Sequence, residues 1–285
     1  AVTRNEKNAG ALLKAVPQAQ RSAAFIFAQA RHLRRAEKYK EAAAVMLKAP
    51  RDAASLVDPD QWWIERRVLS RELLDLGDGA TAYKLAAAHA AESPMHAVDA
   101  EFHAGWYAFR ALGDAKTGAR HFARIAEIAD GPISLSRAYY WLGRAAEAGG
   151  PGNARSYYER AASYGTAFYG QIAAAKLERN AIPANFPAPS ASDRQNFERR
   201  QAVQAIRRLE QAGHARRADS LYRALAQELT SVGEIAMLAV MAERQNNHFL
   251  ALRVGKWAAA RGLNVHALAH PVGAIPTNAN ISGAG

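Results

Sequence analysis

The sequence predicts an all-α solenoid built from stacked helical hairpins, and three observations carry that reading. Gly77, Gly113 and Gly149 fall at an even spacing of 36 residues. Counted from each, the fifth residue is small (Ala82, Gly118, Ala154) and the thirteenth is alanine (Ala90, Ala126, Ala162). Gly213 opens the same register again with Ala218 and Ala226, and the ninth residue is aromatic after three of the four glycines: Phe122, Tyr158 and Tyr222. A fixed period near this length is the sequence mark of a helical-hairpin array.

The elements follow in order. Residues 19–36 carry apolar side chains at helical spacing, and a second helix is expected over 39–47. Clear pairs then follow at 61–76 with 81–91, at 96–112 with 115–129, and at 135–148 with 153–164. Each pair closes over Gly or Gly-Asp, which supplies the left-handed residue a helix C-terminus favours. Pro94, Pro132 and Pro151 are expected at helix entrances, where a missing N–H costs nothing. The run IPANFPAPSAS over 182–192 holds three prolines and reads as a linker. Helical pattern resumes at Asp193 and runs past Gly213 to Gly262 as two further pairs. The expected division is a helical-repeat domain over 1–181, the linker over 182–192, a second helical-repeat domain over 193–263, and an extended tail over 264–285.

Composition fits such an array. Hydrophobic residues make up 49% of the 285 and charged residues 22%, much of the former alanine, which favours helix and lets helices approach closely. No apolar run is long enough to span a bilayer, so no transmembrane segment is expected. The net charge is +11, with clusters over 31–40 and 199–208. A basic face suits an anionic polymer, an anionic lipid or nucleic acid, and equally a merely solvated surface. No base-reading module is visible, so nucleic acid is not an expected partner. Cysteine is absent, which excludes disulfides and thiolate metal sites and fits an oxidising compartment. The chain opens on the already polar Ala1-Val2-Thr3, as a processed chain would, which says nothing about export.

Candidates for chemistry are few. His266 and His270 are four apart, and His96 and His103 could share a helix face with Asp99, but neither set has the full pattern of a metal site; no metal or other cofactor is expected. HExxH, GxSxG and glycine-rich phosphate loops are missing. Glu101, Glu127, Glu147 and Glu159 sit on repeat helices at positions where exposed charge is routine, so no acid pair for glycoside chemistry stands out. Aromatic residues crowd two hairpins, from Trp106 to Tyr169. Most are expected to fill gaps between layers, and some to line a surface on which sugar rings stack. Nearby Arg110, Arg137 and Arg144 would add charge-assisted hydrogen bonds.

The stretch EFHAGWYAFRALGD, then HFARIAEIADGPISLSRAYYWLGRAAEAGG, then YYERAASYGTAFYGQIAAAKL resembles the superhelical, non-catalytic part of the soluble lytic murein transglycosylases. NFERRQAVQAIRRLEQAGHARRADSLYRALAQE resembles that family's linker region, and HALAHPVGAIP the segment leading into its catalytic domain. Together these cover most of residues 60–276. The resemblance implies a tetratricopeptide-like, right-handed superhelix curled into a ring or horseshoe, with a lysozyme-like domain packed on it. It implies a periplasmic parent enzyme that cleaves the β-1,4 bond between N-acetylmuramic acid and N-acetylglucosamine, leaving a 1,6-anhydro product. In that family one glutamate of a Glu-Ser motif acts as acid and then base. Here the sole Glu-Ser is Glu92-Ser93, inside the repeats, and the chain ends where the catalytic domain would begin. No catalytic residue is therefore carried over, and the chain alone is expected to be inactive. The resemblance implies glycan strands, the family's catalytic domain and other cell-wall proteins as partners, with Arg110, Tyr140, Arg144 and Tyr169 as the glycan-contact candidates. The alternative is a helical-repeat adaptor that binds protein partners in its groove.

Overall fold

The computed structural model describes residues 1–179 and 186–270, the side chain of His266 excepted. Every regular element among these residues is helical. By contacts the chain divides into two units, 1–163 with 168–179 and 164–167 with 180–285. The first holds α1 (Ala9–Ala15), α2 (Ala23–Arg35), α3 (Tyr39–Met46), α4 (Ala53–Leu56), α5 (Pro59–Asp75), α6 (Gly79–Ala87), α7 (Pro94–Trp106), α8 (Ala115–Ile128), α9 (Pro132–Glu147), α10 (Ala154–Ala162) and α11 (Phe168–Lys176). The second holds α12 (Ala191–Arg199), α13 (Gln201–Gln211), α14 (Ala215–Glu228), α15 (Val232–Arg244) and α16 (His248–Ala260). Neighbours in sequence are neighbours in space, as an all-α helical-repeat array requires: α2 packs on α3, α5 on α6, α7 on α8, α9 on α10.

One turn is used again and again. Gly77, Gly113, Gly149, Gly213 and Gly262 all have positive φ, between 69° and 85°, and the next residue's N–H returns five residues along the helix, or six after Gly113, where Asp114 N reaches the Ala108 carbonyl. Asp78 N donates to the Leu73 carbonyl at 2.8 Å and His214 N to that of Leu209 at 2.8 Å. This closes the orphan carbonyls of a helix end. A Cβ on Gly77, Gly113, Gly149 or Gly213 would meet nothing, so backbone conformation alone calls for glycine there. Glu37 (φ 59°) and Asn246 (φ 56°) make the same turn between α2 and α3 and between α15 and α16, where the glycine register gives no sign of it. The residue after the turn caps the following helix: Asp78 accepts from Thr81 N and Asp114 from Thr117 N, at 3.0 and 2.9 Å.

Close approach within a hairpin rests on glycine opposite a ring. A Cβ on Gly105 would lie 2.6 Å from the Phe122 ring, and one on Gly143 2.6 Å from the Tyr158 ring. Both rings are buried, so the aromatic at the ninth position is core. Tyr222, at the same register in the second unit, is buried too, among Phe197, Ile206, Leu225 and Ile235.

Three expectations are adjusted. Pro59, Pro94 and Pro132 begin helices, whereas Pro151 lies in the turn before the Asn153 cap. The helix expected over 96–112 is α-helical only to Trp106 and continues as a π turn, Tyr107–Ala111, whose Leu112 N–H reaches the Tyr107 carbonyl. At the far end, Val265, Leu268 and Ala269 are buried, and the backbone of Leu268 passes directly over Gly255. Residues 180–181 at the end of the first expected domain, 182–185 of the expected linker, and 271–285 of the expected tail lie outside the described residues.

Gly113→Ala is expected to lose about 1–2 kcal/mol of unfolding free energy through its left-handed backbone, and Gly113→Asn less. Gly143→Ala is expected to lose about 1–3 kcal/mol, because the Tyr158 ring must move. Urea titration measures both; a Gly143→Ala variant as stable as the parent would contradict the ring-on-glycine packing.

Candidate functional site

Helices α5, α7 and α9 are the first members of successive hairpins, α11 packs against α9 and α10, and side chains of these helices meet one another across the repeat junctions. Asp99 on α7 is the hub of the first junction. Its carboxylate accepts from Trp63 Nε1 at 3.0 Å and from Arg67 NH1 at 2.9 Å, both on α5. One turn along, His103 Nδ1 faces the Asp99 carbonyl at 2.7 Å while Arg71 NH2 approaches Nε2 at 3.0 Å. That arrangement asks for a neutral ring with the proton on Nδ1. Burial holds the His103 pKa below its ordinary value, with Arg71 and Arg67 adding to the effect against the pull of Asp99.

Beside this hub lies a pocket of about 490 Å3, lined by Arg67, His96, Asp99, Asp130, Ser134 and Arg137 together with apolar groups from the start of α7 and the α8–α9 turn. Arg137 stacks over Phe102, 4.2 Å from the ring centroid. Three donors here are buried without an acceptor among the described residues: Arg67 Nε, Arg137 Nε and, one turn further along α9, Trp141 Nε1. Buried donors are ordinarily satisfied, so such a group marks a place where water or a ligand supplies the acceptor.

Of the four glycan-contact candidates, three come together. Tyr140 and Tyr169 have ring centroids 5.4 Å apart, and Arg144 NH1 donates to the Tyr140 hydroxyl at 3.2 Å. Trp141 joins them, 5.7 Å from Tyr140 and 6.5 Å from Tyr169. Tyr140 itself is buried and serves mainly as core, whereas Tyr169 and Trp141 are half-buried. Arg110 is not part of the group: it is exposed on the π turn and makes no hydrogen bond, ion pair or ring contact among the described residues.

Among the carboxylates, Glu101 departs from the expected exposed position. It is 2% exposed and receives His89 at 3.2 Å, His121 at 2.6 Å and Arg124 at 2.6 Å. Glu65 is buried in the same way under Arg31 and Arg34. The two stand 36 residues apart, and Arg137 stands a further 36 along. The glycine period, laid over the charged residues, would have found this set. Glu147 pairs with Lys176 and Arg144, Glu159 with Arg155 and Arg179, and Glu127 is exposed. His96 pairs with Asp60 and Ser93, and His270 lies 3.4 Å from Lys256. The side chain of His266 lies outside the described residues. Among the described residues no group of three or more His, Asp or Glu is arranged to hold a metal.

Neither a protein-family model nor a curated protein matches this chain.

Burial pushes the Glu101 carboxyl up, but hydrogen bonds from His121 and His89, with their charges, override it and bring the pKa down to about 2. A depressed carboxylate contributes stability that is complete above its unfolded value, near 4.3, and is lost as pH falls through the folded value. The urea midpoint is therefore expected to decline between about pH 4.5 and 2. In Glu101→Gln it should start lower at pH 6 and decline less steeply; an unchanged acid limb would remove Glu101 as its source.

Proposed function

We propose that this array is the non-catalytic scaffold of a periplasmic peptidoglycan lytic transglycosylase, holding murein glycan strands for a lysozyme-like domain. The parent reaction would be cleavage of the MurNAc–GlcNAc β-1,4 bond with a 1,6-anhydromuramoyl product, and this chain contributes binding rather than chemistry. A right-handed curl into a ring or horseshoe belongs to the same reading.

The observation that carries it is the set of unsatisfied donors, Arg67 Nε, Arg137 Nε and Trp141 Nε1, beside a polar pocket and a half-buried aromatic surface. A glycan fits that set because each sugar ring offers an apolar face for Trp141 and Tyr169 and hydroxyl oxygens as acceptors. The guanidinium groups also suit the carboxylates of the attached peptides. The sequence resemblance over residues 101–177 supplies the family, and the +11 charge supplies long-range attraction to an anionic polymer.

Purified sacculi should pull the chain down at low salt and release it as salt rises, because exposed charges are screened within about 10 Å at 0.1 M. Trp141→Phe keeps an aromatic face while removing the indole N–H and its five-membered ring. It should weaken binding about two- to ten-fold, the worth of one neutral hydrogen bond. Arg137→Met should weaken it at least as much. Sacculi that fail to retain the parent chain would sink the reading, and a protein partner recovered by cross-linking in their place would favour the adaptor.

A further inference from the structure

A second pocket, of about 430 Å3, lies on the other members of the hairpins, α6 and α8, and on the turn before α4. Its polar lining is Arg51, Tyr83, Lys84, Arg120, His121 and Arg124, with alanines between them and no carboxylate. Arg124 is taken up by Glu101, at 2.6 Å. Arg51, Lys84 and Arg120 have no ion-pair partner among the described residues, and Arg120 donates only to Thr117 Oγ1, at 2.9 Å. Arg66, whose charge interacts with that of Arg51, is 1% exposed, with Nε and NH1 buried and unpaired among the described residues. Burial, and then the charge of Arg51, lower the Arg66 pKa to about 10.

The nearby carboxylates offset the charge of this group only in part, and none of them lines the pocket. Glu101 is shared among His89, His121 and Arg124. Asp78 and Asp114 lie within electrostatic reach of Lys84 and Arg120, but each is engaged as a helix cap. Three cations converging on one concavity, one of them also coupled to the buried Arg66, repel one another until an anion arrives. Guanidinium forks match the oxygens of phosphate and carboxylate alike, and an ammonium adds a point charge.

We propose that this pocket binds a multiply charged oxyanion, a phosphate- or polycarboxylate-bearing ligand, held by Arg51, Lys84 and Arg120. The proposal rests on charges outside the glycan-contact group and stands whether or not the chain binds murein.

Calorimetric titration of the full chain at low salt, with pyrophosphate and separately with tricarballylate, tests it. One-to-one binding of either probe, together with a raised Tm, is expected. Pyrophosphate alone would identify phosphate as the ligand chemistry, tricarballylate alone carboxylate, and both together recognition by charge; each supports the site. Arg120→Gln and Lys84→Gln change exposed side chains and should each weaken binding ten-fold or more. Arg216→Gln, an equal charge change on an exposed residue of α14, should leave it unaltered. Absence of binding by both probes at low salt overturns the proposal. So does an Arg216→Gln loss as large as that of Arg120→Gln, because the attraction would then be diffuse.

Discussion

In two hairpins of the first unit, α7 with α8 and α9 with α10, the helices pack closely because a glycine on one faces an aromatic ring on the other. Gly105 receives Phe122, and Gly143 receives Tyr158, with no room for even a methyl group at either point. Helix pairs this close leave the outer faces of both members free to meet the next hairpin, so the layers can stack. The turn then has to reverse the chain in very few residues, which the left-handed residue and the Asp or Asn cap accomplish together. Packing inside the hairpin and chemistry at its turn therefore fix one another, and the 36-residue spacing is their joint outcome.

That spacing reappears in the polar contacts. Trp63 reaches Asp99 across 36 positions, Ser70 meets Tyr107 across 37, and Tyr83 meets His121 across 38. In the second unit Arg200 reaches Glu234 across 34, and Arg261 the Ala226 carbonyl across 35. Apolar side chains hold neighbouring layers together without fixing their register, since hydrophobic burial is non-directional. A buried carboxylate is different: displaced from its partners it forfeits several kcal/mol. Glu65, Glu101 and Glu234 each sit at 2–3% exposure under at least one arginine from a neighbouring element. They make mis-registered stacking costly, which is their clearest contribution to the fold.

The hairpins of the first unit were legible in the sequence because their turns require residues that are rare elsewhere. Glycine, Asp and Pro mark helix ends for local reasons, and local reasons survive the loss of tertiary context. Glu37 and Asn246 escaped because the same turn there takes residues that are ordinary in any loop. The π turn at Tyr107–Ala111 escaped because apolar periodicity does not register one widened turn. Glu101 was the larger miss. A glutamate on a helix reads as exposed until its neighbours from α6 and α8 are known, and His89 and His121 lie 12 and 20 positions away. Among the contact candidates, Tyr140, Arg144 and Tyr169 converge because α9 and α11 pack together, whereas Arg110 was selected for proximity in sequence to aromatic residues it does not touch.

A repeat array has no single centre, so a binding site in it is best sought where the repeat departs from its own rule. Positions 65, 101 and 137 hold Glu, Glu and Arg. At the first two, a buried carboxylate gathers cations from neighbouring helices, and the junction is satisfied. At the third, the charge is reversed: Arg137 stacks on Phe102 but leaves Nε without an acceptor, and Arg67 Nε and Trp141 Nε1 are left so as well. A sequence shaped for stability alone would have continued the pattern with a third carboxylate. Departures from internal consistency concentrate at functional sites, where stability is given up for a partner's contacts. On the proposed reading, the donors orphaned around Arg137 are where a ligand rich in acceptors would meet the array, at a position set by the same period that builds the fold.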